Sequence, residues 1–487
     1  MYRRALATVV LGVAGIVVPA AQAPLFTDAF PLEEFAARRA RVMERIGDGV
    51  AIVEGAAEYP AYVKFRQNNQ FFYLTGVEVP RAIIAIDGRA RRSTLFILPR
   101  DERAERSEGP VLSPGPDAAR LTGIESVRPR DDFGAVLAQF AGEGRTVYLP
   151  FRPEALGAAT AQYVRMHATR SANDPWDGRK SRAQAFVDNV KAKAPGVTIK
   201  DLDPILDEMR LIKSAREIAT IREATRIAAT GIMEAMRAAR PGMYEYELEA
   251  ITDYFFKKNN SQGIAYFALV ASGKNASYPH YHAAQAKFAN GDLVLFDYAP
   301  DYRYYTSDVT RMFPANGRFT AAQRELYTVY LKMYQALMTS IQPNLEPRII
   351  LVNAARKMEQ IVSVFPFSSE KHRVAAQRLV DGYKNGTSNS LGHWVGMEVH
   401  DITDLPAPGA LKPGMVFTIE PALTIPEDRV YIRLEDPVVI TQTGYENLSS
   451  FAPVDPDQVE RLMAEDSPFD RLDKRADVTS GSQGPAR

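Results

Sequence analysis

The stretch LVLFDYAPDYRYYTSDVTR, residues 293–311, decides how the second half of this chain folds. Its apolar opening, Leu293 to Asp297, reads as a buried strand, and a proline-containing turn follows. A carboxylate that ends an apolar run is costly unless it is paired or bound to a cation. YRYYTSD then returns the chain, so that Asp308 can lie opposite Asp297 as in a hairpin. Two close carboxylates repel unless a cation sits between them. A lone aspartate here would most often be a turn or cap residue, but the pair reverses that reading.

Working outward, three later motifs carry the same chemistry: SLGHWVGMEVHD (390–401), FTIEPAL (417–423) and IRLEDPVV (432–439). His393 lies among glycines that permit close backbone approach. Glu420 ends a strand before Pro421, and Glu435 ends YIRLE. Arg433, two residues earlier, falls on the same strand face as Glu435, a pairing that by itself could be only a surface salt bridge. A single histidine is usually a hydrogen-bonded core residue. Here four of the six histidines fall within two short segments, His280 and His282 in NASYPHYH (275–282) and His393 and His400 in SLGHWVGMEVHD, which favours chemistry. Asp297, Asp308, His393, Glu420 and Glu435 together suit a pair of hard or borderline divalent ions, because carboxylates can bridge two metals and no thiolate is present.

The rest of the chain bounds the reading. A length of 487 residues predicts two to four domains by size alone, and the zero net charge gives no electrostatic case for nucleic acid or an anionic membrane. Without cysteine there is no disulfide, thiolate zinc site or cysteine nucleophile. Arg3 and Arg4 precede an apolar run, Ala5 to Val18, and the small residues PAAQA. This is the layout of a secretory signal over residues 1–23, with an uncleaved anchor as the alternative. No later segment is long and apolar enough to span a bilayer, so the mature protein is expected to be exported, periplasmic or extracellular.

Helix Leu32 to Ile46 and short strands at Val50–Val53, Ala82–Ile86, Thr94–Leu98 and Thr146–Leu149 predict an α/β domain over residues 24–200. The aromatic cluster of FRQNNQFFYLTG (65–76) reads as core packing. From residue 201 to 465 the pattern is α+β. It has one long amphipathic segment at Met209–Arg240, helices near Glu245–Lys257 and Ala321–Ile341, and strands at Val309–Phe313, Met415–Glu420 and Val430–Glu435. Residues 466–487 read as a polar, frayed tail.

In order and spacing the five motifs resemble the pita-bread metallopeptidases: Xaa-Pro aminopeptidases, prolidases and methionine aminopeptidases. FRQNNQFFYLTG is similar to the N-terminal domain that precedes the catalytic domain in Xaa-Pro aminopeptidases and creatinases. The resemblance implies a curved antiparallel sheet in the catalytic domain and two divalent ions, manganese (Mn2+) first, with cobalt, zinc or iron as alternatives. It implies that Asp297 chelates one ion, that His393 and Glu420 bind the other, and that Asp308 and Glu435 bridge both. Glu420 would accept a proton from the attacking water. His280, in NASYPHYH, and His400, in MEVHD, match histidines that contact substrate and stabilise the tetrahedral intermediate, and Arg433 joins them as a substrate-binding candidate.

The activity implied is removal of an N-terminal residue that precedes proline, by a water activated between two ions. The nearest alternative is an Xaa-Pro dipeptidase. A methionine aminopeptidase, a creatinase-like hydrolase and a metal-free peptide-binding module on the same fold are less favoured, the last two because all five ligand positions are filled. The expected partners are peptides with proline second and further copies of the chain. Departures from the family pattern are Ala299, Tyr304 and Ala422 where glycine is usual, Thr424 where tyrosine is frequent, and Asn389–Ser390 in place of His-Gly. The loop His400 to Lys412 lacks an arginine that dipeptidases often use to hold a free carboxylate.

Overall fold

The computed structural model describes residues 29–59, 62–387, 391–403 and 409–469. The expected signal, Asn389 and Ser390, the middle of the loop after His400, and the tail from residue 470 lie outside them.

The first half is built on the helix Leu32–Ile46, whose boundaries match the periodicity. Glu33 and Glu34 in its first turn and Arg45 in its last complement the helix dipole, and Phe35, Val42, Met43 and Ile46 are buried. Six strands form one mixed sheet in the order Ser126–Pro129, Arg92–Ile97, Ile83–Asp87, Val50–Glu54, Thr146–Leu149, Thr198–Asp201. The two inner pairings around Ile83–Asp87 are antiparallel and the outer three are parallel. Three of the four FRQNNQFFYLTG aromatics are core, as expected: Phe71, Phe72 and Tyr73 are buried in the helix Asn69–Thr75, while Phe65 is half-buried.

The second half places the helices Ala215–Ala238, Glu245–Lys258, Ala321–Met338, Pro347–Val364 and Glu370–Asn385 around short ladders, all antiparallel. The last two helices were not anticipated. The segment read as one long helix, Met209–Arg240, is two: Asp203–Leu211 and Ala215–Ala238. The break has a local cause and a distant one. Ser214 and Glu217 form a capping box that starts the second helix. Between the helices Lys213 is pulled inward, its backbone N–H on the Gly414 carbonyl at 2.9 Å and its ammonium on Asp401 at 3.1 Å.

The two halves are joined through Tyr304, one of the positions where glycine was expected. Tyr304 holds φ at +69°, a conformation unfavourable for a side chain, yet it is fully buried. Its ring stacks on Phe72 at 3.5 Å between centroids, under the Arg66 guanidinium at 4.3 Å. Its hydroxyl accepts from the Gln67 backbone N–H at 2.9 Å and donates to Glu78. The strain is therefore held by the packing of one half on the other. Tyr304→Ala should destabilise the fold by about 3–5 kcal/mol, the range for truncating a buried aromatic. Denaturant unfolding measures this, and an unchanged midpoint would refute the clamp.

Candidate metal centre

Short strands position the carboxylates: Asp297 ends one, and Asp308, Glu420 and Glu435 lie just outside the others. The antiparallel ladder of Leu293–Asp297 with Thr310–Pro314 sets Thr310 opposite Asp297. Glu435 then pairs with Thr310 through reciprocal backbone hydrogen bonds of 3.2 Å, so the Asp297, Thr310 and Glu435 positions line up across the strands. His393 is fixed to the strand Val416–Ile419. Its carbonyl accepts from the Thr418 N–H at 2.9 Å, and its own N–H donates to the Thr418 hydroxyl at 3.1 Å. This approach requires Gly392, because a Cβ there would sit 2.1 Å from the Thr418 carbonyl oxygen. Glu420 follows directly after that strand.

The structure brings all five expected ligand positions together. One set of ligand atoms within 4.8 Å of one another comprises Asp297, Asp308 and Glu435; a second comprises His393, Glu420 and Glu435; a third comprises Asp308, His393 and His400. His393 Nε2 lies 3.3 Å from Asp308, 3.6 Å from Glu420 and 3.6 Å from Glu435. Arg433 is buried with them: its guanidinium meets Asp297, and lies 3.6 Å from both Glu420 and Glu435. The surface salt-bridge reading of Arg433 and Glu435 therefore fails.

Electrostatics show that the set fits a cation. Burial and the neighbouring Glu435 and Asp297 push Asp308 well above the usual carboxylate range. Burial, then Glu435, raises Glu420 to about 7. Burial also raises Asp297, against the pull of Arg433. Glu435 alone is held low, at about 2, because Arg433 and His393 outweigh its burial. The protein's own cations thus do not offset the charge of four converging carboxylates. Glu435 Oε1 is also buried with no hydrogen-bond partner among the described residues, an acceptor left over for a ligand.

His400 lies with its ring 4.0 Å from that of His393. Burial, then His393, lowers it to about 3, so at neutral pH it is an uncharged imidazole. His280 is exposed on the wall of the same cavity, as is His282, whose ring rests 4.3 Å from Phe267. Tyr266 was missed. Its hydroxyl lies 2.6 Å from Asp297 and 2.7 Å from Asp308, and burial beside three carboxylates keeps it a neutral phenol. The Thr310 hydroxyl, 2.9 Å from Glu435, was also missed. Nothing in the local pattern of IAYFALV (264–270) marks Tyr266, whose partners are 31 and 42 residues away.

The family model for metallopeptidase family M24 matches residues 219–442, and that for the aminopeptidase P N-terminal domain matches residues 35–148. The chain is 32% identical to the Xaa-Pro aminopeptidase of Escherichia coli (strain K12), over 88% of this chain and 97% of that one. The chain belongs to metallopeptidase family M24.

Solved relatives agree with this placement in M24. The structure of a putative aminopeptidase P from Bacillus anthracis superposes with a TM-score of 0.75 at 28% identity, over 90% of this chain and 99% of that one. Zinc-substituted E. coli aminopeptidase P in complex with product gives 0.72 at 29% identity, over 89% and 98%. A human Xaa-Pro dipeptidase is 26% identical over 89% of this chain and 94% of its own. Three further departures of this M24 chain fall on described residues. Ala299 is fully buried, and Ala422 stands opposite Arg433 at the start of a hairpin. In the same hairpin Thr424 faces Tyr431, so the strand opposite supplies an aromatic ring where position 424 lacks one.

Proposed function

We infer that this M24 peptidase is a metal-dependent Xaa-Pro aminopeptidase. The observation that carries the reading is the convergence of Asp297, Asp308, His393, Glu420 and Glu435 in one cavity with His280 and His400 on its walls. The five ligand candidates would hold two divalent ions, and Asp308 and Glu435 each belong to more than one of the groups of ligand atoms that could receive them. When bound, such ions supply Lewis acidity and make water acidic near neutral pH. Glu420 accepts the proton of the attacking water and passes it towards the leaving nitrogen. His280 and His400 donate hydrogen bonds to the oxyanion that develops on the scissile carbonyl. Arg433, locked to Asp297, orients the carboxylates and limits their mutual repulsion.

Three finer points belong to the same proposal. Selectivity for proline is supported by the names of the relatives and by the absence of an N–H on that residue, which a cleft shaped for the ring can exploit. Manganese is supported by the richness of the site in carboxylates. Export is supported by the Arg3–Arg4, apolar and small-residue order at the N-terminus, and among the described residues no helix is long and apolar enough to cross a membrane. Mass spectrometry of the mature N-terminus checks removal of the signal, and an intact residue 1 would refute the cleaved-signal reading in favour of an uncleaved anchor.

The decisive experiment combines metal analysis with kcat/KM on Ala-Pro and Ala-Pro-Ala. An aminopeptidase needs only a free N-terminus and proline. A dipeptidase must also capture a carboxylate, through a charge-assisted hydrogen bond worth about 1.5–3 kcal/mol. The tripeptide should be cleaved better, and a clear preference for Ala-Pro would transfer the assignment to a dipeptidase.

A further inference from the structure

The helix Ala161–Asn173 buries only Ala161, so it is not an element of the core. Thr160, Tyr163, Val164, His167, Ala168 and Ser171 recur at helical spacing, and all of them line the cavity of about 860 Å3 that holds the metal-ligand candidates. One face of an N-terminal-domain helix therefore looks into the catalytic cleft. It is fixed there by the catalytic half itself. The Ala161 N–H donates to Glu398 at 2.6 Å, and Glu398 is two residues from His400. Glu398 is in turn held by Arg210 at 3.2 Å.

The wall continues through Arg179 and Lys180, which line the same cavity at 77% and 65% exposure. Their partners, Asp177 and Asp188, are not on the cavity wall. Glu154, which is on it, pairs with Arg182. Exposed ion pairs are weak, so an arriving carboxylate competes with Asp177 and Asp188 on nearly equal terms. The cleft is thus acidic at its floor and presents two exposed cations at its N-terminal-domain wall. That polarity matches a peptide, whose ammonium is at one end and whose terminal carboxylate is at the other. The volume lies towards the upper end of ligand pockets, about 300–1,000 Å3, and leaves room beyond an Xaa-Pro pair.

We propose that the helix Ala161–Asn173 and residues 179–182 form an extended subsite for the peptide chain beyond proline, and that this subsite favours a carboxylate. The proposal rests on the aminopeptidase reading. The carboxylate can belong to an acidic side chain or to the peptide's C-terminus. The test measures kcat/KM, with metal-loaded full-length enzyme, on Ala-Pro-Ala-Ala-amide, its free acid, Ala-Pro-Ala-Glu-amide and Ala-Pro-Ala-Lys-amide.

Either carboxylate-bearing peptide should exceed the neutral amide by about two- to fivefold, the span of exposed ion pairs, and the advantage should fade at high salt. A gain with the free acid alone assigns the subsite to the C-terminus, and a gain with the glutamyl amide alone assigns it to a side chain. In the double variant Arg179→Glu, Lys180→Glu the order should invert, with the lysyl amide preferred to the glutamyl amide. Equal rates for all four peptides with the unaltered enzyme, or the same order in the double variant, overturn the subsite. Failure to cleave any of the four would instead overturn the aminopeptidase reading.

Discussion

Asp308→Ala and Glu435→Ala should each lower the metal content of the purified protein and leave no measurable turnover. Each residue is shared between neighbouring groups of ligand atoms, Glu435 between the Asp297 and Glu420 groups and Asp308 between the Asp297 and His393 groups. Removing a shared ligand weakens both ion positions together, whereas loss of an outer hydrogen-bonding partner costs only about 10–100-fold. Thr310→Val offers that comparison, because Thr310 reaches the site only as a neutral hydroxyl that donates to Glu435 at 2.9 Å. Metal analysis beside kcat reads both effects. Full activity in metal-free protein, or with either shared carboxylate removed, would sink the two-ion assignment.

His280→Ala and His400→Ala should have a different signature. Both metals should stay bound while kcat falls by about 10²–10⁴-fold, the span for losing an oxyanion donor or a general acid–base group. His400 is the stronger case, since its ring lies 4.0 Å from the His393 ring and it is neutral at physiological pH. If His400 instead acts only in packing, metal and thermal stability should fall together. Normal metal with near-normal kcat in both variants would remove these histidines from the mechanism and leave Glu420 as the only protein group moving a proton.

The site was legible in the sequence because its signals are local. A carboxylate closing an apolar strand is conspicuous at Asp297, Glu420 and Glu435, and the return through YRYYTSD is short enough to bring Asp308 back near Asp297, although the register sets Thr310 and not Asp308 opposite it. The helix Leu32–Ile46 was legible for the same reason: fifteen residues of one periodicity, charged to suit the dipole at both ends. The break at Lys213 was legible only in part: the Ser214–Glu217 capping box is local, but amphipathic spacing continues through the break, and Asp401 and the Gly414 carbonyl, which draw Lys213 inward, lie far along the chain.

By itself, then, the sequence determined which five residues converge, the apolar strand that Asp297 ends, and the order of an α/β half before an α+β half. The tertiary structure alone decided which neutral groups attend the carboxylates, with Tyr266 between Asp297 and Asp308. It alone turned Tyr304 from a departure into the clamp between the halves, and it alone set the helix Ala161–Asn173 over the cleft through Glu398. Periodicity and chain-end chemistry act within a few residues and can be read along the chain. Contacts such as Ala161 with Glu398, 237 residues apart, depend on how finished elements pack, and no local pattern encodes them.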